Sequence, residues 1–370
     1  MLLLCVLSSL LHADVERVPS LAQLIPLELD GYQLAPPGSE SGSDWSYRFP
    51  ADYAAHSDYR SELWQWHLQL TDETGQKTGV SGRLVRLAVA PPADRETTQS
   101  AWAFSDVYLS LQSLAEPGKP VAGYQSSLVR GALNMAGVDS NPDQVWVRAQ
   151  RFSLTPLDDC GIQAQVHSSI THEKQHRKLQ LTLESDTCPV TGSIGGASSI
   201  YGYLQSVEQV TGVLDDKRIV EGSGWIDRVW GELPVGDGPV VADQFRIRLA
   251  NHEQIIVVRT RRRSGKGTPQ LTAYKVPGNA TEIQPLENVE AVAVSEWQSP
   301  QSGKHYATQW RVRINADSVQ AQEWVLIPEI DNQEVNLFGE YRWTGIVRVE
   351  HKGKPLDGSF AVIDVAELPR

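Results

Sequence analysis

Apolar and polar residues alternate with a period of two along most of this chain, and the alternation limits what the chain can fold into. In an extended strand, such a pattern places the apolar side chains on one face and the polar ones on the other. Strands with one buried and one solvated face are typical of antiparallel sheets. The clearest examples are residues 64–70, 179–183, 245–249, 310–314 and 346–349.

Apolar spacing of 3.6 residues is rare, and it predicts short helices only at residues 21–29 and near 131–137. Many short strands separated by turn residues indicate an all-β protein built of sandwiches or barrels. The chain has 370 residues, which exceeds one ordinary core and favours two β domains. The polar turn near Leu214 and Asp215 predicts a first domain of 46–214 and a second of 215–370.

Composition excludes several classes of protein. The formal net charge is −12, whereas binding to nucleic acid requires an excess of Lys and Arg. The apolar fraction of 41% is ordinary for a globular protein and too high for a disordered one. Eleven Trp are present, and this residue type fills β cores and lines ligand sites.

The N-terminus resembles a secretory signal. Residues 1–13 form a short apolar run that ends in a small residue, and a polar segment follows. We therefore expect an exported protein, periplasmic or secreted, with an extended arm over residues 14–45. The run is too short to span a bilayer. Leu4 precedes Cys5 where a lipoprotein signal needs a small residue, so lipid attachment is the less favoured alternative.

Two cysteines remain after removal of the signal, Cys160 and Cys188. An even number in an exported chain favours a disulfide, and the intervening segment has the pattern of a hairpin whose open end would bring the two together. Two buried free thiols are the alternative.

The sequence contains one match to a catalytic motif, and its position does not suit the chemistry. Residues 172–176 match the H-E-x-x-H pattern of zinc enzymes, but they lie in a predicted hairpin turn, whereas the chemistry needs a helix. Neither a nucleophile elbow nor a phosphate-binding loop is present. The sequence therefore predicts no metal and no cofactor.

Four segments, in order, resemble one family: the lipocalin-like family that contains AttH and the carotenoid 1,2-hydratases. The third is the most specific, since it is similar to the signature G-x-A-W-[ML]-D-[HR]-E-W-G. Two departures stand out: Val229 replaces a family Glu, and Gly202 interrupts a pair of tyrosines. The segments are residues 56–66, 197–203, 220–231 and 309–345.

The resemblance implies two tandem lipocalin-like β-barrel domains that face each other around an apolar pocket. It implies either of two activities. The secreted, AttH-like branch is associated with an ABC-type export system and a lipid-like cargo. The enzymatic branch adds water across an isoprenoid double bond.

Hydration of an alkene needs a protonated acid in a dry pocket, and aromatic faces can stabilise the resulting cation. Asp227 and Glu62, each beside tryptophans, are the candidate acids. Arg228 would hold Asp227 ionised, which favours binding over catalysis. The candidate ligand-binding residues are His56, Trp64, Trp66, Tyr201, Tyr203, Trp225, Arg228 and Trp230.

The preferred interpretation is an exported protein that binds a hydrophobic ligand, a lipid or an isoprenoid, as an accessory of an ABC-type exporter. The first alternative is a hydratase or other lyase that uses Asp227 or Glu62 as its acid. The second is a periplasmic scaffold without a ligand.

Overall fold

The computed structural model describes residues 32, 45–95, 102–119, 122–140, 143–147, 150–157, 160–172, 175–191, 200–231, 240–278, 283–315, 321–337 and 339–369. The predicted signal peptide, nearly all of the predicted arm and the predicted helix at 21–29 lie outside the described residues. Within these ranges the protein is all-β, as the alternation predicts, and it forms two curled antiparallel sheets.

The first sheet contains twelve strands. They are β1 (Ser61–Asp72), β2 (Lys77–Ala88), β3 (Asp106–Ala115), β4 (Gly123–Arg130), β5 (Ala136–Ser140), β6 (Asp143–Val147), β7 (Gln150–Pro156), β8 (Ile162–His172), β9 (Gln175–Ser185), β10 (Val190–Thr191), β11 (Ile200–Leu214) and β12 (Arg218–Gly231). Their order is β4-β3-β2-β1-β12-β11-β9-β8-β7-β6-β5, and β10 pairs with β11. The sheet curls into a barrel, because β4 returns to β8, where the Thr171 amide donates to Gln125 Oε1 at 2.8 Å.

The second sheet is a half-barrel of eleven strands. Its strands are β13 (Val240–Arg248), β14 (Gln254–Arg262), β15 (Gln270–Val276), β16 (Gln284–Leu286), β17 (Glu290–Gln298), β18 (His305–Ile314), β19 (Gln322–Pro328), β20 (Glu334–Leu337), β21 (Glu340–His351), β22 (Lys354–Pro355) and β23 (Phe360–Ala366). Their order is β16-β15-β14-β13-β23-β21-β19-β18-β17, with β20 and β22 paired to β21. The two sheets match the expected pair of lipocalin-like domains.

The first sheet extends beyond the boundary expected at 214/215. That position is the tight turn between β11 and β12, where Asp215 and Asp216 adopt φ of 56° and 59°. β12 pairs with β11 from Arg218 to Gly231 and with β1 from Val220 to Gly231, so it belongs to the first sheet. The break between the two sheets lies after Gly231, where β12 ends. The polar turn at Asp215 connects two strands of one hairpin, and such a turn can connect strands as readily as domains.

Helices are few among the described residues: one 3-10 turn at Ala51–Tyr53 and one short helix, α1 (Pro92–Arg95). The helix predicted near 131–137 is wrong, since this segment is a turn that leads into β5. Leu133 and Asn134 adopt φ of 54° and 58°, a left-handed conformation that ends any helical run. No helix in the described part of the chain is long and apolar enough to cross a bilayer.

The cysteine prediction is confirmed. Cys160 and Cys188 form a disulfide that flanks the open end of the β8–β9 hairpin. At the other end of this hairpin, His172 pairs with Gln175 and His176 with Thr171, so the two histidines of the H-E-x-x-H match lie on paired strands and not on one face of a helix. Within the described ranges no cluster of His, Cys, Asp or Glu could hold a metal ion.

The even-numbered residues of β1 point into the first barrel. Trp64, Trp66, Leu68 and Leu70 are fully buried there and pack against strands across the barrel. Trp66 stacks on Phe152 with 5.2 Å between ring centroids. It also lies flat over Gly82, where a Cβ would sit 2.1 Å from the indole ring. The barrel is thus filled at this depth by its own side chains.

The odd-numbered residues of β1 and β12 face the second sheet. Trp225 stacks on Phe360 with 5.2 Å between ring centroids. Asp227 pairs with Arg246, and Arg83 pairs with Asp364 at 3.0 Å. Burial raises the pKa of Asp227, against the effect of Arg246 and Arg83, because few other groups solvate the carboxylate. The sheets are therefore joined by aromatic stacking and by buried ion pairs.

We predict that Asp227→Asn destabilises the protein by about 3–5 kcal/mol, because it leaves the Arg246 guanidinium buried without its counter-charge. Urea denaturation measures the change. Glu323→Gln is the matched control, since the Glu323 side chain is 44% exposed and its pairs with Arg311 and Arg313 lie at the surface. An Asp227 variant as stable as this control would contradict the prediction.

Candidate functional site

One end of the first barrel carries most of the family-like residues. Here β1 begins, β12 ends and β11 begins, and both Ser61 and Ile200 pair with Gly231. The segment 45–60 crosses this end before it enters β1. We call this region the aromatic end; its rings are Trp45, Tyr47, Phe49, Tyr53, His56, Tyr59, Tyr201, Tyr203 and Trp230.

Trp230 is the centre of the aromatic end. The imidazole of His56 stacks on it face to face, with 3.7 Å between centroids and 3° between planes. Trp45 meets the same indole edge-on at 5.1 Å and approaches Tyr201 at 5.3 Å. The result is a set of aromatic faces around one ionisable ring.

Glu62 is the carboxylate at the aromatic end, and it is fully buried. Arg228 donates to its Oε1 from Nη2 at 2.9 Å, and Arg86 Nε lies 3.6 Å from its Oε2. His56 binds it twice, through its backbone amide at 3.0 Å and through Nδ1 at 3.1 Å.

The pKa of Glu62 is strongly lowered. Burial alone would raise it, but the Arg228 guanidinium, His56 and Arg86 together outweigh burial. Glu62 is therefore a carboxylate and not the protonated acid that alkene hydration needs.

His56 has the opposite shift. Burial lowers its pKa, but the carboxylates of Asp52 and Glu62 raise it above its ordinary value of 6.5. Nε2 lies 3.7 Å from Asp52 Oδ1, and the imidazole side chain is 9% exposed. The raised pKa favours the imidazolium form of His56, which can donate a proton.

Arg228 connects the charged groups around Glu62 to the barrel interior. Its guanidinium lies over the Trp64 ring, 4.4 Å from the centroid. It also donates to the carbonyls of Tyr53 and Ala54, each at 3.1 Å. These bonds fix the crossing segment, and with it His56, to β12.

The disulfide supports the same segment from the other side. The Tyr53 hydroxyl donates to the Cys160 carbonyl at 2.6 Å, and Gln205 Nε2 donates to that oxygen and to the Thr187 carbonyl. One end of the disulfide loop is thus bonded directly to Tyr53, and Gln205 links Tyr53 to both ends.

The structure brings together seven of the ten predicted site residues and separates three. His56, Glu62, Trp64, Tyr201, Tyr203, Arg228 and Trp230 meet at the aromatic end. Trp66 lies deeper in the barrel core. Trp225 and Asp227 lie on the opposite face of β12, between the sheets, so Asp227 does not reach Glu62.

Sequence reasoning missed Asp52, Arg86 and the aromatic segment that contains Trp45. A signal for Arg86 existed, since a charged residue on the inward face of an otherwise apolar strand needs a buried partner. Gly202 also has a structural reason: a Cβ there would lie 2.4 Å from the Arg228 carbonyl.

The sequence model of the AttH-like family matches residues 41–360. This chain belongs to the AttH-like family. The match covers the first sheet, the second sheet up to the start of β23 and all residues of the aromatic end, and it confirms the resemblance drawn from the motifs. Among curated proteins, none matches the chain by sequence at a significant level.

Two solved structures share the fold. A protein assigned as an AttH from Nitrosomonas europaea has a TM-score of 0.70 at 19% identity, covering 90% of this chain and 99% of its own. Kievitone hydratase from Nectria haematococca has a TM-score of 0.60 at 14% identity, covering 87% of this chain and 93% of its own. At these identities the likeness shows the two-barrel fold alone.

We predict that the stabilisation lost in His56→Gln depends on pH. A raised folded-state pKa means that His56 contributes fully below its unfolded pKa of 6.5 and loses its contribution as pH rises through the folded pKa. The lowered pKa of Glu62 keeps the pair intact above 4.5. Between these two pH values the difference in unfolding free energy between wild type and variant is therefore largest. Urea titrations at about pH 6 and about pH 9 test this; equal differences would contradict it.

We further predict that the Cys160→Ser, Cys188→Ser double variant loses about 3–4 kcal/mol of unfolding free energy, because the disulfide closes a loop with a sequence separation of 28. Denaturation of wild type with and without a reductant gives the matched comparison. If the reduced wild type and the double variant both have the same unfolding free energy as the oxidised protein, the disulfide does not stabilise the fold.

Proposed function

We propose that this protein adds water to, or removes it from, a carbon–carbon double bond of an apolar substrate at the aromatic end, with His56 as the proton donor. The observation that carries the proposal is the His56 ring, stacked on Trp230 and bound to the Glu62 carboxylate among the rings of the aromatic end. A general acid must be protonated at the working pH, and ring faces can stabilise the cation that the proton transfer creates.

Each residue has a distinct part in this reaction. His56 Nε2–H gives its proton to one alkene carbon, and positive charge develops on the other. The Trp230 and Tyr201 faces and the Glu62 charge stabilise that cation. Water attacks the cation, and Asp52, 3.7 Å from Nε2, accepts the proton of that water and returns it to His56. The net change is addition of one water molecule.

Glu62 acts as a positioning residue. It holds His56 through two hydrogen bonds and keeps its pKa raised, while Arg228 and Arg86 keep Glu62 ionised. The tyrosines stay protonated, because burial raises the pKa of Tyr59 and of Tyr201. The occurrence of the fold in kievitone hydratase agrees with this chemistry.

We predict that His56→Gln lowers kcat by at least about 100-fold, since general acid catalysis contributes that much or more. Isoprenoid alkenes of graded length, incubated in water enriched in heavy oxygen, are assayed by mass spectrometry for a gain of one labelled water. Glu323→Gln is the control, because its ion pairs with Arg311 and Arg313 lie at the surface of the second sheet, which makes no described contact with the aromatic end. Label incorporation by His56→Gln at the wild-type rate would refute the role of His56.

A carrier without chemistry is the second candidate. The Nε1–H groups of Trp64 and Trp230 are buried and have no acceptor among the described residues, so an acceptor on a bound lipid or isoprenoid would complete them. A lipid extracted with the purified protein, with no labelled product from any alkene tested, would favour this candidate over the hydratase.

A further inference from the structure

A group of large apolar side chains is exposed on two loops of the first sheet. Trp102 is 62% exposed, Phe104 41% and Leu133 47%. We call these three residues the aromatic rim. Clustered exposed rings are unusual on a monomeric globular surface and mark a contact surface.

The two loops of the aromatic rim are neighbours. Trp102 and Phe104 precede β3, and Leu133 follows β4, its hairpin partner. The Gly131 amide donates to the Asp106 carbonyl at 2.8 Å, and the Arg130 guanidinium lies 5.1 Å from the Trp102 ring centroid. Leu133 adopts a left-handed backbone conformation, which is uncommon for a residue with a bulky side chain. Its side chain is exposed, so burial in the core does not account for this conformation.

The aromatic rim lies at the same end of the barrel as the candidate site. β3 begins where β2 ends, and the Val89 amide donates to the Ser105 carbonyl at 2.8 Å. Arg86 connects the two regions: it donates to Asp106 Oδ1 at 2.9 Å and faces Glu62 Oε2 at 3.6 Å. One arginine side chain therefore links Asp106, two residues after Phe104, to the buried carboxylate.

We propose that the aromatic rim docks on a zwitterionic lipid surface, which places the aromatic end beside an apolar substrate held in that surface. The inference rests on the proposed function only in taking the substrate to be apolar. Docking itself depends on the rim and not on His56.

The chemistry of the rim favours neutral lipid. Trp and Phe insert at the headgroup level of a bilayer, and an Arg stacked on the Trp can bind a lipid phosphate. The net charge of −12 opposes adsorption to an anionic membrane. A protein partner or a second copy of the chain would bind the rim without any dependence on lipid.

The test is flotation of the full-length chain with phosphatidylcholine vesicles. We expect wild type to bind and the Trp102→Ser, Phe104→Ser double variant to bind at least about tenfold more weakly, because two rings no longer enter the interface. Ile219→Ser is the control: Ile219 is 54% exposed but lies at the start of β12, at the opposite end of the barrel. It should bind like wild type.

Further measurements separate this inference from the proposed function. His56→Gln should float like wild type, and the rim variant should turn over a detergent-dispersed alkene at the wild-type rate. Flotation without turnover in wild type would remove the hydratase and leave the docking surface. Absence of flotation in wild type, or equal flotation of the rim variant, would overturn docking. So would a concentration-dependent dimer in analytical ultracentrifugation that the rim variant abolishes, since a second copy would then cover the rim.

Discussion

A buried carboxylate, Glu62, sets the arrangement of the aromatic end. A charge with no exposed surface must be compensated, and Arg228, Arg86 and His56 supply the compensation. Because these partners come from β12, β2 and the crossing segment, the demand for neutralisation fixes three parts of the chain relative to one another. The same demand raises the pKa of His56, so the interaction that holds the segment also prepares the proposed acid.

β12 carries two unrelated roles on its two faces. Arg228 and Trp230 point into the first barrel and build the candidate site, whereas Trp225 and Asp227 point outward and join the second sheet. The most specific family-like segment therefore combines residues of a site with residues of an interface. The two tryptophans of this segment lie on opposite faces of the strand: Trp230 stacks on His56 and Trp225 stacks on Phe360.

The second sheet contributes no side chain to the contacts described at the aromatic end. Its described contacts with β2 and β12 stiffen the outer face of the strands that carry Arg86 and Arg228 and that flank β1, which carries Glu62. The disulfide acts in the same way from the opposite side, through Tyr53. We interpret the tandem arrangement as a rigid support for one site. The proposed catalysis would require such a support, since its groups must stay in register within a fraction of an ångström.

The alternation of side chains determined the strands, the all-β class and which residues share a face. The expectation that Arg228 holds Asp227 ionised was wrong, because neighbours in a strand face opposite sides: Arg228 pairs with Glu62 and Asp227 with Arg246. The cysteine pair and the family also followed from the sequence. Only the tertiary structure decided which face of each strand is inside, because period two is symmetric between the two faces. It alone showed that the pKa of Glu62 is lowered and that the pKa of His56 is raised. These shifts depend on partners such as Arg86 and Asp52, which are distant along the chain or on another element.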